Sequence, residues 1–180
     1  MERKSFVFMR IYHLTCDTLQ NPLGYDFHHP RFGWRTEDAE PGGFQSAYQL
    51  QVFADPEFFP ESPALLDTGK VLSDLSAGIE LSLSLQPRTR YAWRVRIWNQ
   101  RDEASLWSDF GFFETAKREE AWQAKWIGWS REFPQLRGDF SLEKPIRRAR
   151  AYACGVGLYE LFCNGQRVGK EYLAPGSPAS

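Results

Sequence analysis

The sequence predicts an all-β protein, a β-sandwich followed by an incomplete second β-domain, and three observations carry that prediction. Aromatic residues make up 16% of the 180 residues, with seven Trp, beside 14 Gly and 11 Pro, a mixture that suits pleated strands bounded by tight turns. Tyr91, Trp93, Val95 and Ile97 alternate with Arg94, Arg96 and Trp98, the period of two that marks a strand buried on one face. Turn signals separate the strand-like runs at roughly the 8 to 12 residue spacing of a sandwich.

The elements follow in order. Residues 11–15 begin the first unit, Asn21-Pro22-Leu23-Gly24 predicts a turn, and Arg31-Phe32-Gly33-Trp34-Arg35 predicts a short strand with Trp34 as an inward anchor. After Glu40-Pro41-Gly42-Gly43, the run 47–54 alternates Tyr48, Leu50 and Val52 against Gln49 and Gln51, a strand with one wet face that Asp55-Pro56 ends. Further short strands are expected within 65–71 and 79–85, around Asp67-Thr68-Gly69-Lys70 and Ser76-Ala77-Gly78. Pro87 and Thr89 turn the chain into the strand at 91–98, and the segment 107–115 closes the sheet. About seven strands in about 105 residues is the size of a fibronectin type III-like, that is immunoglobulin-like, sandwich. Tyr91 then stands where such sandwiches place a tyrosine corner, its ring inward and its hydroxyl bonded to upstream backbone.

The charged tract Lys117-Arg118-Glu119-Glu120 breaks the pattern and reads as a solvated linker or one helical turn, which divides the chain into 1–117 and 118–180. Beyond it, Trp122-Gln123-Ala124-Lys125-Trp126-Ile127-Gly128-Trp129 leads into strand-like segments at 140–142, 149–154 and 158–163. Asn164-Gly165 tolerates the positive φ angles of a type I′ turn and predicts a β-hairpin. With four or five strands, this unit falls short of the eight of a jelly roll. Continuation of the chain, or strands from a second chain, is therefore expected to complete it.

Lys and Arg total 22 against 23 Asp and Glu, a formal charge of −1, so no overall field draws nucleic acid or anionic membrane. Cys16, Cys154 and Cys163 show no CxxC spacing and read as reduced thiols, with a Cys154–Cys163 bridge across neighbouring strands left open. His28-His29 points to opposite sides of an extended chain, so no metal site is expected. There is no GxSxG elbow, phosphate-cradling glycine loop or Cys/His constellation, and no cofactor is expected. Ser5-Phe6-Val7-Phe8-Met9 falls below the ~7 to 15 apolar residues of a secretory signal. No run approaches the ~18 residues of a transmembrane helix, and a soluble, cytoplasmic chain without a membrane partner is expected.

Asn21-Pro22-Leu23-Gly24, Arg31-Phe32-Gly33-Trp34-Arg35, Asp67-Thr68-Gly69-Lys70-Val71, the run from Arg88 to Trp98, Trp122-Gln123-Ala124-Lys125-Trp126-Ile127-Gly128, and Ala149-Arg150-Ala151-Tyr152 running on to Gly157 through Gly169 occur in this order. Together they resemble the N-terminal region of bacterial α-L-rhamnosidases over nearly the whole chain. The resemblance implies a large glycoside hydrolase with a fibronectin-like first module, a jelly-roll accessory domain and a catalytic α/α barrel much further on. It implies inverting hydrolysis of terminal α-L-rhamnosides by two carboxyl groups ~6.5 to 9.5 Å apart. In the family the Leu-x-Pro-Gly segment runs on into further strand residues, whereas here Leu173-Ala174-Pro175-Gly176 is followed only by Ser177-Pro178-Ala179-Ser180. A chain truncated before the barrel is expected, catalytically inert by itself, with the rest of the parent enzyme or a second chain as its partner.

No catalytic residue is assigned: Glu114, Glu119, Glu120, Glu143 and Glu160 lack any catalytic motif and read as solvated surface. Sugars present apolar C–H faces that pack on aromatic rings, which makes Trp98, Trp126 and Trp129 the candidate contacts to rhamnose-containing glycans, with Trp107 beside them. Packing is the competing reading: Trp107 belongs to the closing strand pattern, and Trp122, Trp126 and Trp129 can seal an interdomain contact. An independent carbohydrate-binding module and a protein-interaction module, joined through its incomplete sheet, are the alternatives to an enzyme's accessory region.

Overall fold

The computed structural model describes residues 9–37, 42–55, 62–128, 130 and 135–169, and among them every regular element is a strand. The chain divides into two compact units, Met1–Lys125 and Trp126–Ser180.

The first unit is a sandwich of two sheets. One is antiparallel, β1 (Arg10–Cys16), β3 (Arg31–Glu37) and β7 (Ile79–Glu80), in the order β1-β3-β7. The other runs β2 (Leu23–Tyr25), β9 (Gly111–Thr115), β8 (Arg90–Asn99), β4 (Gln45–Ala54), β5 (Leu66–Asp67), with β6 (Val71–Leu72) also paired to β4. The alternation read in the sequence sets its central register, in which Leu50 faces Val95 and Val52 faces Trp93. Because side chains alternate across a strand, Tyr91, Trp93, Val95 and Ile97 enter the core while Arg94 and Arg96 stay on the outer face.

Both sheets supply one core. Phe32 of β3 meets Trp93 edge to face at 4.8 Å and Phe113 at 5.8 Å, and Trp34 meets Tyr48 at 5.4 Å, the T-shaped geometry that ring quadrupoles favour. Trp34 is the inward anchor expected, and its indole Nε1 donates to Gln45 Oε1 at 3.0 Å. Tyr91 is the expected corner: its ring stacks on Phe113 at 5.1 Å and its hydroxyl accepts from the Gln86 N–H at 2.7 Å.

Three local readings change. Leu23–Tyr25 forms a strand rather than only a turn, pairing parallel to β9. The outer edge of β9 needs acceptors: the Phe112 N–H bonds Asn21 Oδ1, and the Glu114 and Ala116 N–H groups bond the Pro22 and Tyr25 carbonyls. Glu114, expected on the solvated surface, is consequently buried. The run 65–71 splits into β5 and β6 because Gly69 takes a φ of +62°. There the Thr68 hydroxyl accepts from the Leu50 N–H at 3.0 Å, replacing a ladder bond.

The tract at 117–120, expected as a solvated linker or one helical turn, forms a single turn bonded to the sandwich, with Arg118 at a φ of +53°. The Arg118 N–H donates to Asp26, its guanidinium bonds the Leu85 carbonyl, and Glu120 pairs with Arg88 Nε at 2.7 Å.

In the second unit the hairpin is as expected: β10 (Phe162–Cys163) pairs with β11 (Gln166–Arg167), and Asn164 and Gly165 have φ of +49° and +77°. The segments 140–142 and 149–154, expected as strands, are not strands. Strand propensity measures fit to a half-buried surface, and no described residue from 126 onward is buried. The expected opening of a jelly roll is thus represented among the described residues by one hairpin. Leu173-Ala174-Pro175-Gly176 lies outside the described residues.

Candidate functional site

The outer face of the large sheet carries a ladder of cations and rings. The Arg94 guanidinium lies 4.6 Å from the Trp107 centroid, 5.3 Å from Phe53 and 5.5 Å from Phe110. Arg96 lies 4.8 Å from Trp107 and 5.0 Å from Trp98, and Lys70 covers Trp98 at 4.9 Å. Arg90 extends the series over Phe112 at 4.0 Å. Each such contact contributes on the order of 0.5–1 kcal/mol at exposed sites and more when desolvated.

Trp107 is held beside both arginines by hydrogen bonding next to β8. Ser105 and Ser108, three residues apart, each bond β8 twice. Their backbone N–H groups donate to the Ile97 and Val95 carbonyls at 2.8 Å. Their hydroxyls accept from the N–H groups of the same two residues at 3.0 and 3.1 Å. The expected closing strand is therefore replaced, at Trp107-Ser108, by an extended segment that uses side chains in place of a ladder, and regular pairing resumes at Gly111.

A polar row fixes the arginines from below. Arg94 Nε donates to Gln51 Oε1 at 3.0 Å and Arg96 Nε to Gln49 Oε1 at 2.9 Å. Both glutamines donate in turn to Asp67, at 2.6 and 2.7 Å. Desolvation works against the Asp67 charge. Hydrogen bonds from Gln49, Gln51 and the Gly69 N–H, with the nearby Arg96 charge, outweigh it and hold the carboxyl below the usual carboxylate range.

The expected sugar contacts separate. Trp98 is 9% exposed with Lys70 and Arg96 over its ring, while Trp126 is 73% exposed. Trp129 lies outside the described residues. Trp122 is half exposed with Lys117 Nζ 5.1 Å from its ring. A cleft of about 190 Å³ in the second unit is lined by Ala151, Ala153, Tyr159, Glu160, Leu161, Arg167 and Val168. Cys16 is free and buried, its thiol pushed up by burial and by the neighbouring Asp17 charge, and Cys154 and Cys163 are free and exposed. Among the described residues no three His, Cys, Asp or Glu side chains are grouped to hold a metal ion. The sequence placed Arg94, Arg96 and Trp98 on one face of the strand but did not bring Phe53, Trp107 and Phe110 beside them. The signal was the Arg-x-Arg-x-Trp pattern of β8 followed by Trp107 and Phe110.

These features define an immunoglobulin-like β-sandwich module joined to a second β-unit. The family model described as "Rha78A-like, N-terminal immunoglobulin domain" matches residues 11–119, and that of the "Alpha-L-rhamnosidase N-terminal domain" matches residues 144–179. The chain belongs to the Rha78A-like N-terminal immunoglobulin domain family. It is similar to an α-L-rhamnosidase of Formosa agariphila, 33% identical over 96% of this chain and 20% of the relative. An α-L-rhamnosidase of Streptomyces avermitilis is 40% identical over 66% of this chain and 12% of the relative.

Among solved structures, the α-L-rhamnosidase from Dictyoglumus thermophilum aligns with a TM-score of 0.61 and 37% identity, over 66% of this chain and 14% of that one. The Streptomyces avermitilis α-L-rhamnosidase complexed with L-rhamnose aligns with a TM-score of 0.56 and 39% identity, over 60% and 10%. The chain thus spans a fifth or less of the curated relatives it matches, and what it matches is their N-terminal region.

Proposed function

We propose that this chain is a non-catalytic accessory region of an α-L-rhamnosidase-like glycoside hydrolase, supporting domain packing and presenting substrate to a catalytic part elsewhere in the parent protein. The observation that carries this reading is one of extent: 96% of the chain aligns with only 20% of the Formosa agariphila α-L-rhamnosidase. The parent reaction is hydrolysis of terminal α-L-rhamnosides with inversion, which needs a protonated carboxyl group near neutral pH.

In this reading the region 118–180 is the start of a jelly-roll domain whose remaining strands come from the rest of the parent enzyme or from a second chain. Phe140 at 79% and Val156 at 91% exposure support it, as does the rule that a two-stranded hairpin is marginal in water without a third strand or a packed face. Glycan contact by this chain is a second reading, favoured by the exposure of Trp126. It predicts rhamnoside affinity that Trp126→Ala weakens, and no binding at millimolar ligand contradicts it.

Two assays test the main proposal. The purified chain is expected to release no aryl leaving group from an aryl α-L-rhamnoside above the buffer rate; turnover overturns the non-catalytic assignment. Deleting the matching region from the Streptomyces avermitilis relative is expected to lower its thermal midpoint. An unchanged midpoint and unchanged activity overturn the packing role.

A further inference from the structure

We infer that Arg94 and Arg96, 4.6 and 4.8 Å from the Trp107 centroid, form a binding site for a carboxylate-bearing sugar, a uronic acid residue. The argument rests on how guanidinium groups distribute their interactions. Stacking on rings uses the two faces of the planar group, and its N–H donors lie in the plane at the edge. Arg94 lies 4.6 Å from the Trp107 centroid, 5.3 Å from Phe53 and 5.5 Å from Phe110, Arg96 lies 4.8 Å from Trp107 and 5.0 Å from Trp98, and each commits Nε to a glutamine. Among the described residues neither has an ion-pair partner and neither has a hydrogen-bond acceptor for its Nη groups, whereas Arg31, Arg88, Arg137 and Arg167 each pair with a carboxylate.

The two groups are held in place before any ligand arrives. Rings flank them and Gln49 and Gln51 fix their roots, so little side-chain freedom remains to be lost on binding. Two residues apart on one strand, they emerge about 7 Å from one another, a separation that one carboxylate can bridge with an oxygen toward each. Charge-assisted bonds of this kind are the strong ones.

The sugar is indicated by Phe110. This residue is 39% exposed, with Phe53 5.6 Å and Arg94 5.5 Å from its ring, an accessible apolar surface next to the cations. Asp67 sits behind the glutamines and opposes an anion, but Gln49, Gln51 and the Gly69 N–H satisfy its charge locally. The inference stands on this face alone and does not depend on the rhamnosidase reading, so either can fail without the other.

The test is titration of the full chain with galacturonic acid, galactose and sodium acetate, followed through the amide resonances of residues 94–98 and 105–110. Galacturonate is expected to shift these resonances with millimolar affinity, galactose not at all, and acetate about tenfold more weakly. Raising ionic strength weakens the binding. Arg96→Gln lowers affinity about tenfold, as removal of one charge-assisted contact requires. Arg96→Lys preserves the charge but not the fork, so it loses a smaller part in a chain with an unchanged thermal midpoint. No shift at tens of millimolar galacturonate overturns the site. Equal binding of galactose overturns the role of the arginines, and equal binding of acetate overturns that of Phe110.

Discussion

The two units of this chain draw on the same residue types and treat them oppositely. Trp93 and Ile97 are each 1% exposed in the first, whereas Trp126 is 73% and Ile146 62% exposed in the second. The difference lies in partners rather than composition. In the first unit each long apolar strand finds another far away in sequence, β4 against β8 and β3 against β1 and β7, so that both sheets close one core. In the second, the local Asn164-Gly165 turn forms its hairpin, and the apolar segments before it lack strand partners among the described residues. Turn chemistry acts locally, whereas burial needs long-range pairing.

The largest effect that sharpens this contrast is core truncation. Trp93→Ala is expected to destabilise the chain by about 3–5 kcal/mol, and Phe162→Ala, on the exposed hairpin, by less than about 0.5 kcal/mol. Denaturant unfolding followed by circular dichroism measures both, and comparable losses would break the comparison. The next effect is overpacking at glycine. A Cβ on Gly111 would stand 2.8 Å from Trp93 Nε1 and 3.3 Å from Leu14 Cβ, whereas one on Gly138 meets nothing within 4 Å. Gly111→Ala is expected to cost about 1–3 kcal/mol and Gly138→Ala to leave the unfolding midpoint where it is.

What was legible in the sequence follows the same division. Alternation showed β4 and β8, and the position of Tyr91 showed the corner, because core position and register both follow from a period of two. Asn164-Gly165 showed the hairpin because its φ requirement is local. The parallel pairing of β2 was not legible, since it arises from the needs of β9 some 90 residues away. The segments 140–142 and 149–154 carried strand composition without strand partners. Trp98 and Trp107 stood out as tryptophans, but their places next to cations depend on the twin serine bonds that bring 105–108 beside β8.

Smaller effects remain. Tyr91→Phe removes the acceptor of the Gln86 N–H and is expected to cost about 1 kcal/mol, whereas Tyr159→Phe, whose exposed hydroxyl donates to the Ala153 carbonyl at 3.3 Å, is expected to change the midpoint immeasurably. The smallest is a pH effect. Asp67 is held below its ordinary value in the folded state, so its contribution is full above the unfolded carboxylate pKa of about 3.9 and is lost as pH falls through the depressed folded value. Asp67→Asn is expected to flatten this part of the acid limb in unfolding midpoints collected across that range. An unchanged acid limb would show that the glutamine row does not discriminate its charge.

Amide hydrogen exchange on the full 180-residue chain tests the contrast most directly. Amides of β4 and β8 are expected to exchange only through global unfolding, and those of the hairpin, β10 and β11, at close to the free-peptide rate. Protection of the hairpin equal to that of β8 would contradict the account, because the second unit would then hold its strands without the partners its exposed side chains call for.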